Sequence, residues 1–212
     1  MKLYTYFRSS AAWRVRIALA LKGIAWAPEF VHLLRNGGEQ NAPAYRAKNP
    51  AGLVPILETD DGALIPQSLA IIEWLEETHP MPALLPRDPL ARAHVRAIAL
   101  SIACDIHPLN NLRVLRYLKE PMGHDQPARD AWYAHWIAEG LSGVEAMLRG
   151  PGPFCTGDVP TLADVCLVPQ MANARRLNCP LDAYPTLLRA EAAALALPAF
   201  RDAAPDRQQD AS

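Results

Sequence analysis

The run Tyr6-Phe7-Arg8-Ser9-Ser10-Ala11-Ala12-Trp13-Arg14-Val15-Arg16-Ile17-Ala18-Leu19 puts two hydroxyls where an apolar strand (Leu3–Tyr6) hands over to a helix. The helical pattern shows in Trp13, Ile17 and Leu21, which recur at four-residue spacing. Free backbone N–H groups and the positive end of the helix dipole gather at such a junction and stabilise an anion. A hydroxyl there can donate to a thiolate and lower its pKa. Either Ser9 or Ser10 could do this, and either could instead be a plain helix cap. The second feature is Val54-Pro55. A proline cannot donate to a sheet ladder, so it marks an edge strand or a cis bend. A cis bend would turn the N–H and C=O of Val54 outward, where an extended peptide could pair with them. The third feature is Gln67-Ser68 at the start of another helix, where the Ser68 hydroxyl could hold a carboxylate or only cap. One thiolate position, one backbone pairing position and one carboxylate position together describe a seat for a short thiol peptide.

The second half offers polar groups with more ordinary explanations. His107-Pro108-Leu109-Asn110-Asn111 interrupts a long helical pattern, and Pro108 should kink it. Such a kink can line a cleft or be purely structural. Arg113 follows closely. Arg175-Arg176 ends the helix that begins at Thr161, where arginines complement the dipole. Thr161-Leu162-Ala163-Asp164 is a capping box that should nucleate a core helix. No Ser-His-Asp arrangement, phosphate loop or His-x-x-x-His pair occurs, and no metal is expected.

The elements that must carry these groups fall into two parts. Leu3–Tyr6, Glu29–Leu33, Val54–Glu58 and Ala63–Ile65 read as strands, with Asp60-Asp61-Gly62 as a hairpin turn. Ala11–Lys22, capped by Gly23, and Leu69–Thr78 read as helices, and a short helix near Pro43–Lys48 would complete a βαβαββα order. The proline-rich stretch that follows stiffens a connection, and strand signals fade beyond it. The expected domains are 1–80, a mixed sheet with helices, a linker at 81–89, and 90–212, an all-helical domain. Its helical patterns run over Leu90 to Lys119, 126–149, 161–177 and 185–196, and the polar tail from Ala203 is expected to fray.

The chain has 212 residues, of which 50% are apolar and 20% charged, as in globular proteins. A net charge of −1 gives no bulk attraction to nucleic acid or an anionic membrane. No apolar run is long enough to span a bilayer, and no secretory signal pattern opens the chain. Cys104, Cys155, Cys166 and Cys179 are widely spaced and read as reduced thiols of a cytoplasmic protein.

Taken together these residues resemble the zeta class of glutathione transferases. The resemblance runs from Leu3 to about Pro205. It is carried by the Arg8–Leu19 run, Asn49-Pro50, Val54-Pro55, Gln67–Glu73, His107–Asn111, Thr161–Asp164 and Leu167–Gln170. It implies an α/β thioredoxin-like N-terminal domain, an all-α C-terminal domain, a homodimer and glutathione as cofactor. It further implies that Ser9 and Ser10 face the glutathione sulfur with Arg8 beside them and that Gln40 approaches the glycyl end. Val54, with Pro55, would pair with the cysteinyl backbone, and Gln67 and Ser68 would hold the γ-glutamyl end. His107 and Asn111 would approach from the second domain, with Arg8, Arg113 and Arg176 for substrate carboxylates.

The implied activity is glutathione-dependent cis–trans isomerisation of a maleyl-keto diacid in aromatic catabolism. The substrate would be maleylacetoacetate, giving fumarylacetoacetate, or maleylpyruvate. Conjugation or dehalogenation of small electrophiles is an alternative, and a non-catalytic interaction module is a further one. The class signature usually reads Ser-Ser-Cys, and Ala11 stands in the third position. Glutathione brings its own thiol, so the isomerisation does not need that cysteine.

Overall fold

The computed structural model describes residues 1–148 and 150–211. The chain divides into two compact units. The first comprises Met1–Leu84 together with the residues from Leu197 onward, and the second is Leu85–Ala196.

The first unit is built in the order β1 (Lys2–Thr5), α1 (Ser10–Leu21), β2 (Ala27–Phe30), α2 (Pro43–Arg46), β3 (Ile56–Glu58), β4 (Leu64–Pro66) and α3 (Ser68–Thr78). The strands form one sheet in the order β2-β1-β3-β4. β1 pairs parallel to β2 and antiparallel to β3, and β3 pairs antiparallel to β4. The Asp60-Asp61-Gly62 turn joins the last two strands as the sequence indicates, with Gly62 at φ +87°. Helix α1 ends in a Schellman motif. Gly23, at φ +65°, donates to Ala20 C=O at 3.1 Å, and Ile24 N–H reaches Leu19 C=O at 2.9 Å.

All four strands shift from the sequence reading by one to three residues at one end or both, and two of the shifts bear on the site. β2 lies at Ala27–Phe30 rather than Glu29–Leu33, as an exposed edge strand. β3 starts at Ile56, so Pro55 precedes the ladder instead of interrupting it. The Val54–Pro55 peptide bond is cis.

Helix α1 is buried on nearly every side, including Arg14 and Arg16. A four-residue apolar stripe understated this, because buried arginines look like surface residues in a hydropathy pattern. Beside the sheet, Tyr4, Tyr6, Val31, Tyr45, Val54 and Ile56 form an apolar cluster under the loop that follows β2. Lys22 anchors the start of the proline-rich connection. Its buried ammonium donates to the His79 and Pro82 carbonyls at 2.7 and 3.0 Å and pairs with Glu76 at 2.8 Å.

The second unit is helical: α4 (Pro89–Leu100), α5 (Leu112–Lys119), α6 (Gln126–Met147), α7 (Leu162–Arg176) and α8 (Pro185–Leu195). The single long helix suggested by 90–119 is broken. A π-helical stretch, Ser101–Ile106, and a 3-10 turn, His107–Asn110, separate α4 from α5. Pro108 lacks the N–H a continuous helix would need there. The capping box at Thr161 forms. The fully buried Asp164 also accepts from the Cys155 N–H at 2.8 Å, tying the preceding loop to α7. All four cysteines are free, and only Cys104 is exposed.

The tail corrects the sequence reading. Residues from Leu197, with α9 (Pro198–Arg201), pack with the first unit rather than extending the helical one. Ala203 is buried and its carbonyl accepts from Arg16 Nε at 3.1 Å, so the segment does not fray. Its composition is polar because its anchors are a backbone carbonyl and a carboxylate, neither of which registers as apolar patterning.

Candidate active site

The sheet register brings the first-unit candidates to one end of the sheet. Tyr4, Ile56 and Pro66 lie side by side across β1, β3 and β4. There β1 leaves toward Arg8-Ser9-Ser10, β3 arrives from Val54-Pro55, and β4 leaves toward Gln67-Ser68. Thr5 pairs with Phe30, so β2 leaves toward Gln40 at the same end. Thus residues scattered over sixty positions of chain share one rim, because parallel and antiparallel pairing both place their loops there.

Ser9 is the N-cap of α1, with its hydroxyl accepting from Ala12 N–H at 3.2 Å. The capping reading and the catalytic one are therefore compatible. A hydroxyl has two acceptor lone pairs and one proton, and the cap uses a lone pair. The proton stays available to donate to an anion at the helix start. Ser10 is the first helical residue and is buried. Arg8 is exposed on the turn between them and β1. The turn is closed by Ser9 N–H donating to Tyr6 C=O at 3.0 Å.

Val54 is aimed by two residues to which the sequence reading gave no such role. Tyr45 Oη and Asn49 Nδ2 both donate to the Leu53 carbonyl, at 2.7 and 2.8 Å. Leu53 C=O and Val54 N–H belong to one trans peptide and point in opposite directions. Holding the carbonyl therefore fixes the direction of the Val54 N–H. Among the described residues neither backbone group of Val54 has a hydrogen-bond partner, which suits pairing with an incoming peptide. Asn49-Pro50 was visible as a motif; its tie to Leu53 was not. Aromatic packing of Tyr45 against Tyr4, with centroids 6.1 Å apart, holds it in reach.

Gln67 adopts φ +73°, ψ 118°, a conformation that costs a non-glycine residue roughly 1–3 kcal/mol and clusters at ligand sites. It is the N-cap of α3, but its side chain makes no capping bond. The simple capping role considered for Ser68 is not what the structure has, since Ser68 is already inside the helix. Its buried residue has no hydroxyl partner among the described residues. Together with the unpaired N–H groups of the first turn, this is an anion seat. Gln40 is buried on a short 3-10 turn, and its Oε1 has no hydrogen-bond partner among the described residues. His32 and Glu39 shape that loop: the Glu39 carboxylate accepts from His32 N–H at 2.6 Å, and His32 Nδ1 accepts from Arg35 N–H at 2.9 Å.

These groups fit glutathione. The peptide offers a thiolate for the α1 start, an extended backbone for Val54, and a carboxylate for the α3 start. Its remaining end has polar atoms that could satisfy Gln40.

In the second unit, His107 opens the 3-10 turn after the π-helical stretch. Asn111 caps α5, its Oδ1 accepting from Arg113 N–H at 3.1 Å. Its Nδ2 remains a donor. Arg113 is exposed on α5. The adjacent arginines at the end of α7 differ sharply. Arg175 is paired with the buried Glu191 carboxylate. Arg176 meets only the Tyr133 hydroxyl, at 3.4 Å, and has no carboxylate partner among the described residues. Tyr133 is itself buried, which raises its pKa and keeps it neutral. Arg176 is thus a positive charge still open to an acid, as dipole complementation alone would not distinguish.

Residues 8–78 match the model of the glutathione S-transferase N-terminal domain. The chain is 51% identical over 210 residues to the maleylacetoacetate isomerase of Pseudomonas aeruginosa, covering 99% of this chain and 98% of that protein. It superimposes on the holo structure of a bacterial maleylpyruvate isomerase of the zeta class with TM-score 0.96, at 46% identity and full coverage of both chains. A maleylacetoacetate isomerase from Anaeromyxobacter dehalogenans, with dicarboxyethyl glutathione and citrate in its active site, matches with TM-score 0.88 and 46% identity, over 100% of this chain and 97% of that one. The thioredoxin-like sheet, the helical second unit and these full-length likenesses lead to one conclusion: the chain belongs to the zeta class of the glutathione transferase family.

Proposed function

We propose that this protein is a glutathione-dependent cis–trans isomerase of a maleyl-keto diacid, with maleylacetoacetate as the first substrate to test. The observation that carries the reading is Ser9, which caps α1 with a lone pair and keeps its proton at a helix start. Glutathione, when bound, supplies a thiolate that adds reversibly to an activated C=C, so that the bond turns freely before the thiol departs.

The chain's own residues do the rest. Ser9, beside Ser10, donates to the sulfur and keeps it ionised near neutral pH. Val54 holds the extended cofactor backbone, while Gln67, Ser68 and the α3 start hold its acidic end, and Gln40 serves the other end. Arg8, next to Ser9, supplies positive charge where negative charge develops on the substrate. Arg176 takes a substrate carboxylate, for which a guanidinium fork is suited. Arg113, His107 and Asn111 are assigned supporting roles in the second unit. The relative that holds dicarboxyethyl glutathione supports a thiol meeting a diacid at this kind of site.

We further propose a homodimer acting in the cytoplasm, as membership of the zeta class implies. Among the described residues no helix is long and apolar enough to cross a membrane. The deciding experiment supplies maleylacetoacetate and maleylpyruvate separately, with and without catalytic glutathione, and follows the cis and trans vinyl protons by NMR. Turnover with glutathione unconsumed is expected. Turnover without any thiol, or stoichiometric loss of glutathione, would contradict the reading.

A further inference from the structure

The turn that presents Arg8 and Ser9 is gripped from both sides by residues far away in sequence. The Asp210 carboxylate accepts from Phe7 N–H at 2.9 Å. Arg16 donates to Phe7 C=O at 3.0 Å, to Tyr6 C=O at 3.4 Å and to the Thr5 hydroxyl at 3.1 Å. The third Arg16 nitrogen, Nε, donates to the Ala203 carbonyl, so one buried guanidinium joins the turn to the tail segment that carries Asp210. Burial brings the Arg16 pKa down to about 10, and the Asp210 charge opposes that shift. The second Asp210 oxygen is buried without a hydrogen-bond partner among the described residues. That is a costly position for a carboxylate, which the bond to Phe7 and the charge of Arg16 help to offset. None of this follows from the apolar pattern of the tail.

We propose that Asp210 is a positioning residue for thiolate activation: by holding Phe7 N–H opposite the Arg16 grip on the Phe7 and Tyr6 carbonyls, it sets the turn that places Ser9. The Tyr6 carbonyl also accepts from Ser9 N–H, so a displaced turn is a displaced Ser9. Effective donation to a sulfur requires placement within about half an ångström, which only a support of this kind maintains. Asp210 touches neither cofactor nor substrate in this role. The inference rests on Ser9 as the thiolate donor.

The test compares Asp210→Ala, Asp210→Asn, Gln208→Ala and Ser9→Gly in the full chain. Asn keeps an oxygen acceptor for Phe7 N–H, and Ala does not. Among the described residues the Gln208 side chain ties the tail to itself, donating to the Asp202 and Ala204 carbonyls at 3.1 and 3.0 Å. Thiol pKa of bound glutathione, kcat, KM for glutathione and Tm are read for each. For Asp210→Ala the thiol pKa should rise by about half to one unit and kcat at neutral pH should fall about three- to tenfold, with KM nearly unchanged. Asp210→Asn should restore most of both, and Gln208→Ala should move Tm alone. A lower Tm with unchanged thiol pKa in Asp210→Ala would overturn the proposal. So would equal losses in Asp210→Ala and Asp210→Asn, which would put the effect in the charge. If Ser9→Gly leaves the thiol pKa unchanged, the Ser9 assignment itself fails; if it shifts while Asp210→Ala does not, the positioning role alone fails.

Discussion

Replacing Ser9 separates its two tasks. The cap accepts from Ala12 N–H at 3.2 Å, and losing it to Ala costs about 1 kcal/mol of stability, whereas Gly at an N-cap costs only a few tenths. Both substitutions remove the hydroxyl proton that the proposed mechanism donates to the sulfur. A hydrogen bond to a charged acceptor contributes about 1.5–3 kcal/mol, so its loss should raise the thiol pKa of bound glutathione by about one to two units. Ultraviolet titration of thiolate absorbance on the bound cofactor reads this directly. The thiolate is the reactive form, so the acid limb of the kcat profile should move up by the same amount. The sign is definite: the activity deficit appears below the raised pKa and closes as pH rises past it. Ser9→Gly should therefore show the full shift with nearly wild-type Tm, Ser9→Ala the same shift with lower Tm, and Ser9→Thr neither. An unshifted thiol in both Ser9→Gly and Ser9→Ala would refute the reasoning. A shift appearing only in Ser10→Ala would transfer the role to Ser10.

Arg176→Met should lower kcat/KM for the diacid by about ten- to a hundredfold and spare a neutral electrophile such as a chloronitrobenzene, with glutathione affinity intact. The contrasting Arg175→Met strands the buried Glu191, so thermal melts should show a stability loss while kinetics hold; equal kinetic losses on both substrates for Arg176→Met would remove its carboxylate role. Asp164→Ala takes the acceptor from two buried N–H groups, those of Cys155 and Thr161, and urea unfolding should report about 2–5 kcal/mol lost. Gly140→Ala would put a methyl 2.2 Å from Ile106 Cγ1, one residue before His107. Overpacking of about 1–3 kcal/mol is expected there, partly relieved by adding Ile106→Val, and calorimetry on the single and double variants checks it.

The sequence by itself determined the element order, the hairpin at Asp60-Asp61-Gly62, the capping box and the break at Pro108. It also marked Ser9, Val54-Pro55 and Gln67-Ser68. These are local matters: strand and helix periods, the missing N–H of proline, and short polar side chains at helix starts are all written in neighbouring residues. What only the tertiary structure decided is how those residues are aimed. The sheet register gathers four loops on one rim. Tyr45 and Asn49 set the direction of Val54 N–H through the Leu53 carbonyl, and Gln67 rather than Ser68 takes the strained position before α3. Arg175 and Arg176 are neighbours in sequence and indistinguishable there, but the fold gives a carboxylate to one and leaves the other's charge open. The polar tail closes on the turn between β1 and α1 through Arg16 and Asp210. Hydrogen bonds between residues 187 and 203 positions apart leave no periodic trace in the chain, because their partners are chosen by where the backbone arrives and not by what lies beside them.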